Sequence, residues 1–216
     1  MKYQAVLFDL DGTLLDTVQD LADSVNTVLR RFGFPEHGTE SYKYFVGDGV
    51  EQLARRALPE NRRDEATLTK CINAIREEYS RRWANNTRPY EGIPKLLDTL
   101  TARNARMAIL SNKPDDSTKA TVSKLLPDWH FDLIVGASPS VPMKPDPGAA
   151  LEIARSLNIP PNAFLYLGDT GTDMRTACAA GMYPVGALWG FRKADELTES
   201  GAKTIIKDPG ELLDLL

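Results

Sequence analysis

The sequence predicts an α/β protein in which helices cover both faces of a parallel sheet and a helical segment is inserted after the first strand. The first observation is the continuous apolar run Ala5–Phe8, as expected of a strand buried on both faces. The second is the alternation of short apolar runs with helical periodicity from residue 90 onward. Between these two parts, residues 17–86 have helical periodicity and no convincing strand pattern.

The elements of the sheet domain follow one another at regular intervals. A first strand over residues 3–9 is followed by apolar runs that predict strands at 107–110, 131–135, 163–167 and 184–188. The helices predicted between them lie near residues 93–103, 115–126, 147–157 and 172–181. This alternation is typical of parallel strands joined through helices.

Residues 16–86 are predicted to form a helical domain, and residues 1–15 and 87–216 the α/β domain that carries it. The first inserted helix has one apolar stripe, closed by Gly33, with the members Val18, Leu21, Val25, Val28, Leu29 and Phe32. Further helical patterns follow, one of them directly after the turn Gly47-Asp48-Gly49. The insertion therefore resembles a small helical bundle.

Composition and charge exclude several classes of function. The 216 residues are 42% hydrophobic and 26% charged, as in a globular protein, and the net charge of -4 argues against nucleic-acid binding. No apolar run reaches the length of a membrane span, and Asp9 interrupts the first run too early for a signal peptide, so a cytoplasmic location is expected. Cys71 and Cys178 lack metal-ligand spacing and are expected to be reduced thiols.

Polar segments follow the ends of the predicted strands. They are Asp9-Leu10-Asp11-Gly12-Thr13, Ser111-Asn112-Lys113-Pro114, Lys144-Pro145-Asp146-Pro147, and Gly168-Asp169 with Asp173. In an open parallel sheet ligands bind at the carboxyl ends of the strands, so these segments are expected to meet. Each segment alone also has a structural interpretation, as a turn or a helix cap. Their occurrence on successive strand ends favours a functional site.

The residue types indicate phosphoryl transfer to a carboxylate. Asp9, Asp11 and Asp169 suit Mg²⁺, which prefers carboxylates, water and phosphate oxygens. Asp9 can attack phosphorus to form an aspartyl phosphate, while Asp11 can protonate the leaving oxygen and later accept a proton from water. A serine hydroxyl, backbone N–H groups and a lysine would hold the phosphoryl oxygens, and Gly12 would let the backbone approach them closely.

In order and spacing, these four segments resemble the motifs of the haloacid dehalogenase superfamily of phosphatases, and the resemblance covers nearly the whole chain. The first motif is highly specific, and the second is specific only in company with the others. The resemblance implies a Rossmann-like core with a helical cap, to which the insertion 16–86 is similar. Dehalogenase members lack the second acid of the first motif, so Asp11 argues against that chemistry.

The resemblance also implies roles for individual residues. It implies Asp9 as the nucleophile, Asp11 as the general acid and base, and Lys144 as the cation that neutralises Asp9 and the phosphoryl group. It implies Mg²⁺ held by Asp9, the backbone carbonyl of Asp11 and Asp169, with Asp173 in support. The predicted substrate contacts of the core are Gly12, Thr13, Ser111, Asn112 and Lys113.

Four segments most resemble phosphoglycolate phosphatases within the superfamily: VGDGVEQLARRAL, SNKP, KPDPGAAL and LWGF. Phosphoglycolate is therefore the first expected substrate, and Gly49 and Arg56 of the insertion are candidate contacts. That subfamily often has Gly-Asn-Gly in place of Gly47-Asp48-Gly49, and inorganic pyrophosphatases or sugar-phosphate phosphatases of the superfamily remain alternatives. A β-phosphoglucomutase is less favoured, because its pattern of cap arginines does not follow this turn.

A phosphorylatable signalling module is an alternative from another class, since receiver domains also combine clustered acids, Mg²⁺ and a lysine. Such domains are much shorter, have no helical insertion and place the acceptor acid after the third strand. Here that strand leads into Gly136-Ala137-Ser138. The sequence therefore favours an enzyme, a monomer or homodimer, that acts on a small phosphorylated metabolite and has no nucleic-acid or membrane partner.

Overall fold

The structure is a computed structural model and describes residues 3–216. The chain divides into two compact units. The first, called the core unit below, comprises the described residues up to Leu15 together with Pro89–Leu216. The second, the inserted unit, is Asp16–Arg88.

The helices and strands are numbered in chain order. The strands are β1 (Ala5–Phe8), β2 (Leu15–Asp16), β3 (Arg88–Pro89), β4 (Arg106–Pro114), β5 (Leu133–Ala137), β6 (Phe164–Gly168), β7 (Tyr183–Ala187) and β8 (Thr204–Ile206). The α-helices are α1 (Val18–Arg31), α2 (Thr39–Phe45), α3 (Gly49–Ala57), α4 (Glu65–Arg82), α5 (Ile93–Ala102), α6 (Asp115–Leu125), α7 (Gly148–Leu157), α8 (Gly171–Ala180) and α9 (Ala194–Glu199). Short 3-10 helices lie at Glu60–Arg62, Pro161–Ala163 and Pro209–Asp214.

The core unit is built on a six-stranded parallel sheet in the order β5-β4-β1-β6-β7-β8. The central strand β1 is fully buried, and its side chains alternate between two apolar clusters. Val6 and Phe8 pack on the face covered by α5 and α6, while Ala5 and Leu7 pack on the face covered by α7 and α8. Burial on both faces explains the continuous apolar run, and the predicted parallel α/β sheet is confirmed.

The sheet has one more strand than the apolar runs predict. This strand, β8, has three residues at the edge of the sheet, and it follows the six-residue helix α9. Neither element is long enough to display a hydrophobic period, which is read over a window of several residues. The seven-residue helix α2 in the inserted unit escapes sequence analysis for the same reason.

The inserted unit contains α1 to α4, and one carboxylate joins its two ends. Asp20, in the first turn of α1, accepts hydrogen bonds from the backbone N–H groups of Asn86 at 3.0 Å and Thr87 at 2.9 Å. The Thr87 hydroxyl and the Asn86 side-chain amide also donate to Asp20, at 2.7 and 2.8 Å. Burial opposes the charge of Asp20, but these hydrogen bonds prevail and lower its pKa. The beginning of α1 is therefore held beside Asn86 and Thr87, near the end of the unit.

The cysteines and the absence of a membrane span were both predicted from the sequence. Cys71 and Cys178 are both free, as predicted, and lie in α4 and α8 respectively. Cys71 is buried and Cys178 is exposed. Within residues 3–216, no helix combines the length and apolar character that crossing a membrane requires.

Candidate active site

The first acidic residue lies directly after the central strand. The backbone N–H of Asp9 donates to the Leu167 carbonyl at 2.9 Å, which continues the pairing of β1 with β6. Asp9 Oδ1 accepts a hydrogen bond from the Leu10 N–H at 2.7 Å and lies 2.8 Å from Lys144 Nζ. Within the described chain, no residue donates a hydrogen bond to Asp9 Oδ2. This buried carboxylate therefore keeps one oxygen for another partner.

Lys144 is buried and joins two carboxylates. Its Nζ lies 2.8 Å from Asp9 Oδ1 and 2.7 Å from Asp173 Oδ1, and donates to the Leu110 carbonyl at 3.1 Å. Burial favours the neutral amine, but the charges of Asp173 and Asp9 prevail and raise the pKa of Lys144 well above its usual range. Lys144 is therefore a permanent positive charge beside Asp9.

Asn112 holds the backbone of Lys144 in place. Its Oδ1 accepts from the Lys144 N–H at 2.8 Å, and its Nδ2 donates to the Lys144 carbonyl at 3.0 Å. The sequence predicts that Asn112 and Ser111 contact a phosphoryl group. Both side chains are buried at the end of β4, and the contact with Lys144 adds a positioning role for Asn112 that sequence analysis missed. The phosphoryl contact stays a prediction.

Two more buried acids, Asp169 and Asp173, follow β6 and have different structural roles. Thr170 is the N-cap of α8, and Asp173 completes a capping box by accepting from the Thr170 N–H at 3.1 Å. Asp169 therefore does not serve as the helix cap. Its carboxylate instead accepts from the Thr13 hydroxyl and from the Phe191 N–H, each at 2.8 Å.

A fifth loop, after β7, also reaches the site. Besides the bond from Phe191 to Asp169, the indole of Trp189 donates to the Thr13 carbonyl at 3.0 Å. Gly190 packs against the same acid, since a Cβ there would lie 2.3 Å from Asp169 Cβ. Sequence analysis used LWGF only as a mark of resemblance. A glycine between two aromatic residues, just after a strand, was the available signal that this loop packs closely on something.

Position 12 requires glycine for two reasons, its backbone conformation and the lack of room for a side chain. Its φ is +92°, and a Cβ would lie 2.4 Å from Asp169 Oδ2 and 2.7 Å from the Phe191 ring. Glycine adopts this positive φ readily, whereas other residues rarely do. The crowding shows that the small size of Gly12 also makes room for Asp169.

Replacing Gly12 with Ala is expected to destabilise the fold by about 1–3 kcal/mol and to reduce activity at least about tenfold, because Asp169 must move. Thermal unfolding and kcat/KM on one preparation measure both effects. Gly33 is the matched control, since its φ is +73° but nothing lies within 4 Å of a Cβ there. Equal losses of activity in Gly12→Ala and Gly33→Ala would contradict the prediction.

Asp11 and Lys113 form an ion pair beside the buried acids. Lys113 Nζ lies 3.2 Å from Asp11 Oδ1 and 3.4 Å from Oδ2. The sequence predicts Lys113 as a substrate contact; the structure places its ammonium on Asp11 instead of leaving it exposed. The predicted substrate contacts of the core, Gly12, Thr13, Ser111, Asn112 and Lys113, all lie at the ends of β1 and β4.

Two predicted substrate contacts, Gly49 and Arg56, belong to the inserted unit. Gly49 begins α3 with a φ of +84°. The Arg56 guanidinium lies 2.5 Å from Asp48 and donates to the Phe45 carbonyl at 3.1 Å. Asp48, whose role the sequence left open, is therefore the ion-pair partner of Arg56. Whether either residue contacts substrate stays a prediction.

Three of the predicted acids form a buried cluster that fits a divalent cation. Asp9, Asp169 and Asp173 each offer a ligand atom within 4.8 Å of the others. Burial and repulsion from Asp173 raise the pKa of Asp169 to about 7 and that of Asp9 well above its usual range. Lys144 pairs with Asp9 and Asp173, and Asp169 adds a third buried carboxylate, so the cluster has an excess of negative charge when all three are ionised. Oxygen ligands of this kind suit Mg²⁺. The Asp11 side chain lies outside this cluster, and the predicted contact through its carbonyl remains untested.

Without a divalent cation, the thermal stability is expected to fall as pH rises from about 4 to about 7. The ordinary pKa of an aspartate is 3.8, and that of Asp169 is about 7 in the folded protein. Its contribution is therefore complete below pH 3.8 and is lost as pH passes through about 7. Melting temperatures with EDTA across this range measure the effect. In the Asp169→Asn variant the melting temperature should depend less on pH. An equal pH dependence in the variant and the parent would show that the titration of Asp169 is not its cause.

Comparison with known proteins identifies the family. Residues 6–187 match the profile of the haloacid dehalogenase-like hydrolases. Phosphoglycolate phosphatases of Pseudomonas syringae pv. tomato (31% identity, 96% of this chain and 78% of the relative) and Chromobacterium violaceum (32%, 99% and 96%) are similar in sequence. A crystal structure assigned to a phosphoglycolate phosphatase of Lactobacillus delbrueckii subsp. bulgaricus has 27% identity and a TM-score of 0.93, covering 100% of this chain and 98% of that one.

The chain belongs to the haloacid dehalogenase-like hydrolases. The resemblance drawn from the four sequence motifs is thereby confirmed at the level of the family. The relatives support a phosphoric monoester hydrolase, so the prediction of an enzyme is confirmed as well.

Proposed function

We propose that this protein is a Mg²⁺-dependent phosphatase that hydrolyses small phosphate monoesters, phosphoglycolate first among them, through an aspartyl phosphate on Asp9. The observation that carries the proposal is the position of Asp9. It lies at the carboxyl end of the central strand, 2.8 Å from a buried lysine and within a cluster of carboxylates. A structural ion pair needs neither the additional acids nor an oxygen left open for a partner.

Asp9 attacks phosphorus in the first step of the proposed reaction. A new bond forms between a carboxylate oxygen and phosphorus, and the bond from phosphorus to the ester oxygen breaks. Lys144 opposes the rise in the pKa of Asp9 and so favours its ionised form. It also holds Asp9 in one orientation, since it is itself held by Asp173 and by the backbone contacts of Asn112. The lysine charge also stabilises the negative charge that accumulates on the phosphoryl oxygens.

Asp11 transfers protons in both steps. It protonates the departing ester oxygen in the first step and accepts a proton from the attacking water in the second. The second step breaks the bond between phosphorus and the Asp9 oxygen, which releases inorganic phosphate and restores the carboxylate. Asp11 pairs with Lys113 and its side chain lies outside the carboxylate cluster, as a separate acid-base group requires.

Asp9 and Asp169, with Asp173 beside them, would hold the metal ion. When bound, Mg²⁺ would offset the repulsion between these acids and a phosphate dianion and would stabilise the charge on the phosphoryl oxygens. Thr13 and Phe191 orient Asp169 for this task, and Gly12 and Gly190 leave the room that it needs.

A panel of phosphate esters tests the proposed substrate. The relatives are named phosphoglycolate phosphatases, and phosphoglycolate is a small ester with a second negative group. Its kcat/KM is expected to exceed that of p-nitrophenyl phosphate by about 10- to 100-fold. This factor corresponds to the free energy of one charge-assisted hydrogen bond to the second negative group. Pyrophosphate and a sugar phosphate belong in the same panel. If either ranks first, the corresponding alternative replaces phosphoglycolate, and if no ester is hydrolysed, the proposed function is wrong.

A further inference from the structure

We propose that Lys113 is a positioning residue that holds the general acid-base Asp11 in its working orientation, rather than a substrate contact. The inference rests on the proposed role of Asp11 in proton transfer. Its basis is the ion pair between Lys113 Nζ and both oxygens of Asp11, at 3.2 and 3.4 Å. The two residues lie 102 positions apart, so the pair exists only because β1 and β4 are neighbours in the sheet.

The ion pair is sheltered from water. The Lys113 side chain is 6% exposed and that of Asp11 is 15% exposed. Exposed ion pairs contribute little because solvent screens them and both side chains are mobile. A sheltered lysine that spans both oxygens of a carboxylate restricts its rotation, and a proton-transferring group needs this restriction to reach the ester oxygen.

The backbone around Lys113 is irregular, and hydrogen bonds hold it in place. At the end of β4 the register shifts, because the four-residue step from Leu110 to Pro114 faces the two-residue step from Val135 to Ala137 on β5. Such irregularities redirect side chains next to active sites. The Lys113 backbone is held on both sides, since its N–H donates to Ser111 Oγ at 3.2 Å and its carbonyl accepts from Thr118 Oγ1 at 3.1 Å.

Gly136 on β5 allows this arrangement. A Cβ at Gly136 would lie 2.7 Å from the Lys113 carbonyl and 2.5 Å from Asp115 Cα. The irregular end of β4 therefore packs against a position that accepts no side chain. The fold thus holds both the backbone of Lys113 and its ammonium, which a mobile substrate-binding lysine would not require.

The test compares two leaving groups. Glycolate is a poor leaving group and needs the proton from Asp11, whereas p-nitrophenolate leaves readily without it. Lys113→Met is expected to lower kcat/KM about 10- to 100-fold for phosphoglycolate, or for the best alkyl ester of the panel, but less than about threefold for p-nitrophenyl phosphate. Both values come from one preparation, so any misfolded fraction cancels in their ratio. The leaving-group ratio is kcat/KM for phosphoglycolate divided by kcat/KM for p-nitrophenyl phosphate. Lys113→Arg should restore part of this ratio, because arginine keeps the positive charge.

The second proton transfer supplies an independent readout. Release of phosphate from Asp9 needs Asp11 as a base whatever the leaving group, so Lys113→Met should release a burst of p-nitrophenolate close to one per active enzyme before a slow steady state. Lys119→Met is the matched control, because Lys119 pairs with Asp115 at 2.6 Å on the exposed face of α6. The Lys119→Met variant should have the same leaving-group ratio as the parent and the same time course of p-nitrophenolate release.

Three outcomes are distinguishable. A fall in the ratio together with a burst supports the positioning role. Equal losses for both esters, as expected if Lys113 binds the phosphoryl group, or no loss at all, would overturn it. A parent protein without phosphatase activity, or an Asp11→Asn variant with an unchanged leaving-group ratio, would overturn the proposed function and not the inference alone.

Discussion

Replacing Asp9 with Asn is expected to reduce turnover of every phosphate ester by about 10⁴-fold or more, the scale seen when a nucleophile is removed. Only an ionised carboxylate can attack phosphorus, and the amide has nearly the same shape. The fold should persist. Lys144 keeps its 2.7 Å contact with Asp173, and the substitution removes one negative charge from a cluster whose charges repel one another.

Steady-state turnover, circular dichroism and thermal unfolding measure these effects together. Asp116→Asn is the matched control, since it makes the same chemical change at an exposed acid in the first turn of α6. It should retain the activity of the parent. Substantial turnover by a folded Asp9→Asn variant would show that Asp9 is not the nucleophile.

Removing divalent cations with EDTA is expected to abolish turnover, and added Mg²⁺ to restore it. Without a cation, a phosphate dianion would approach the three carboxylates of Asp9, Asp169 and Asp173. The ammonium of Lys144 pairs with two of them, Asp9 and Asp173, and does not offset the repulsion from all three. Ca²⁺ is expected to fail as a substitute, because it takes more ligands at longer distances than Mg²⁺.

Binding can be measured separately from activity. Mg²⁺ should raise the melting temperature at about pH 8, where the raised pKa of Asp169 has been passed and the repulsion is greatest. Asp169→Asn should lose most of this shift together with activity. Full turnover by protein shown to be free of metal would rule out the magnesium assignment.

Much of the fold was predictable because its signals are local. The burial of β1 on both faces produces the apolar run Ala5–Phe8, and the alternation of strands and helices implies a parallel sheet. That topology sends the carboxyl ends of β1, β4 and β6 to one edge. The sequence positions of Asp9, Ser111 and Asp169, each at or just after a strand end, were therefore enough to predict that they gather there.

The particular contacts of the site were not predictable from these patterns. The sequence does not show that Asn112 would hold the backbone of Lys144, that Lys113 would pair with Asp11, or that Phe191 would donate to Asp169. The elements β8 and α9 were missed for a different reason, since each is too short to show a period.

The sequence by itself therefore determined the order of buried strands and the chemical groups at their ends, because burial and periodicity are properties of neighbouring residues. Only the tertiary structure decided which group faces which. Lys144 and Asn112 are 32 positions apart, and Lys113 and Asp11 are 102 apart. The distance between such residues depends on strand order, on the register shift in β4 and on the space left by Gly12 and Gly190. These quantities are set when the whole core packs, and no short stretch of the chain encodes them.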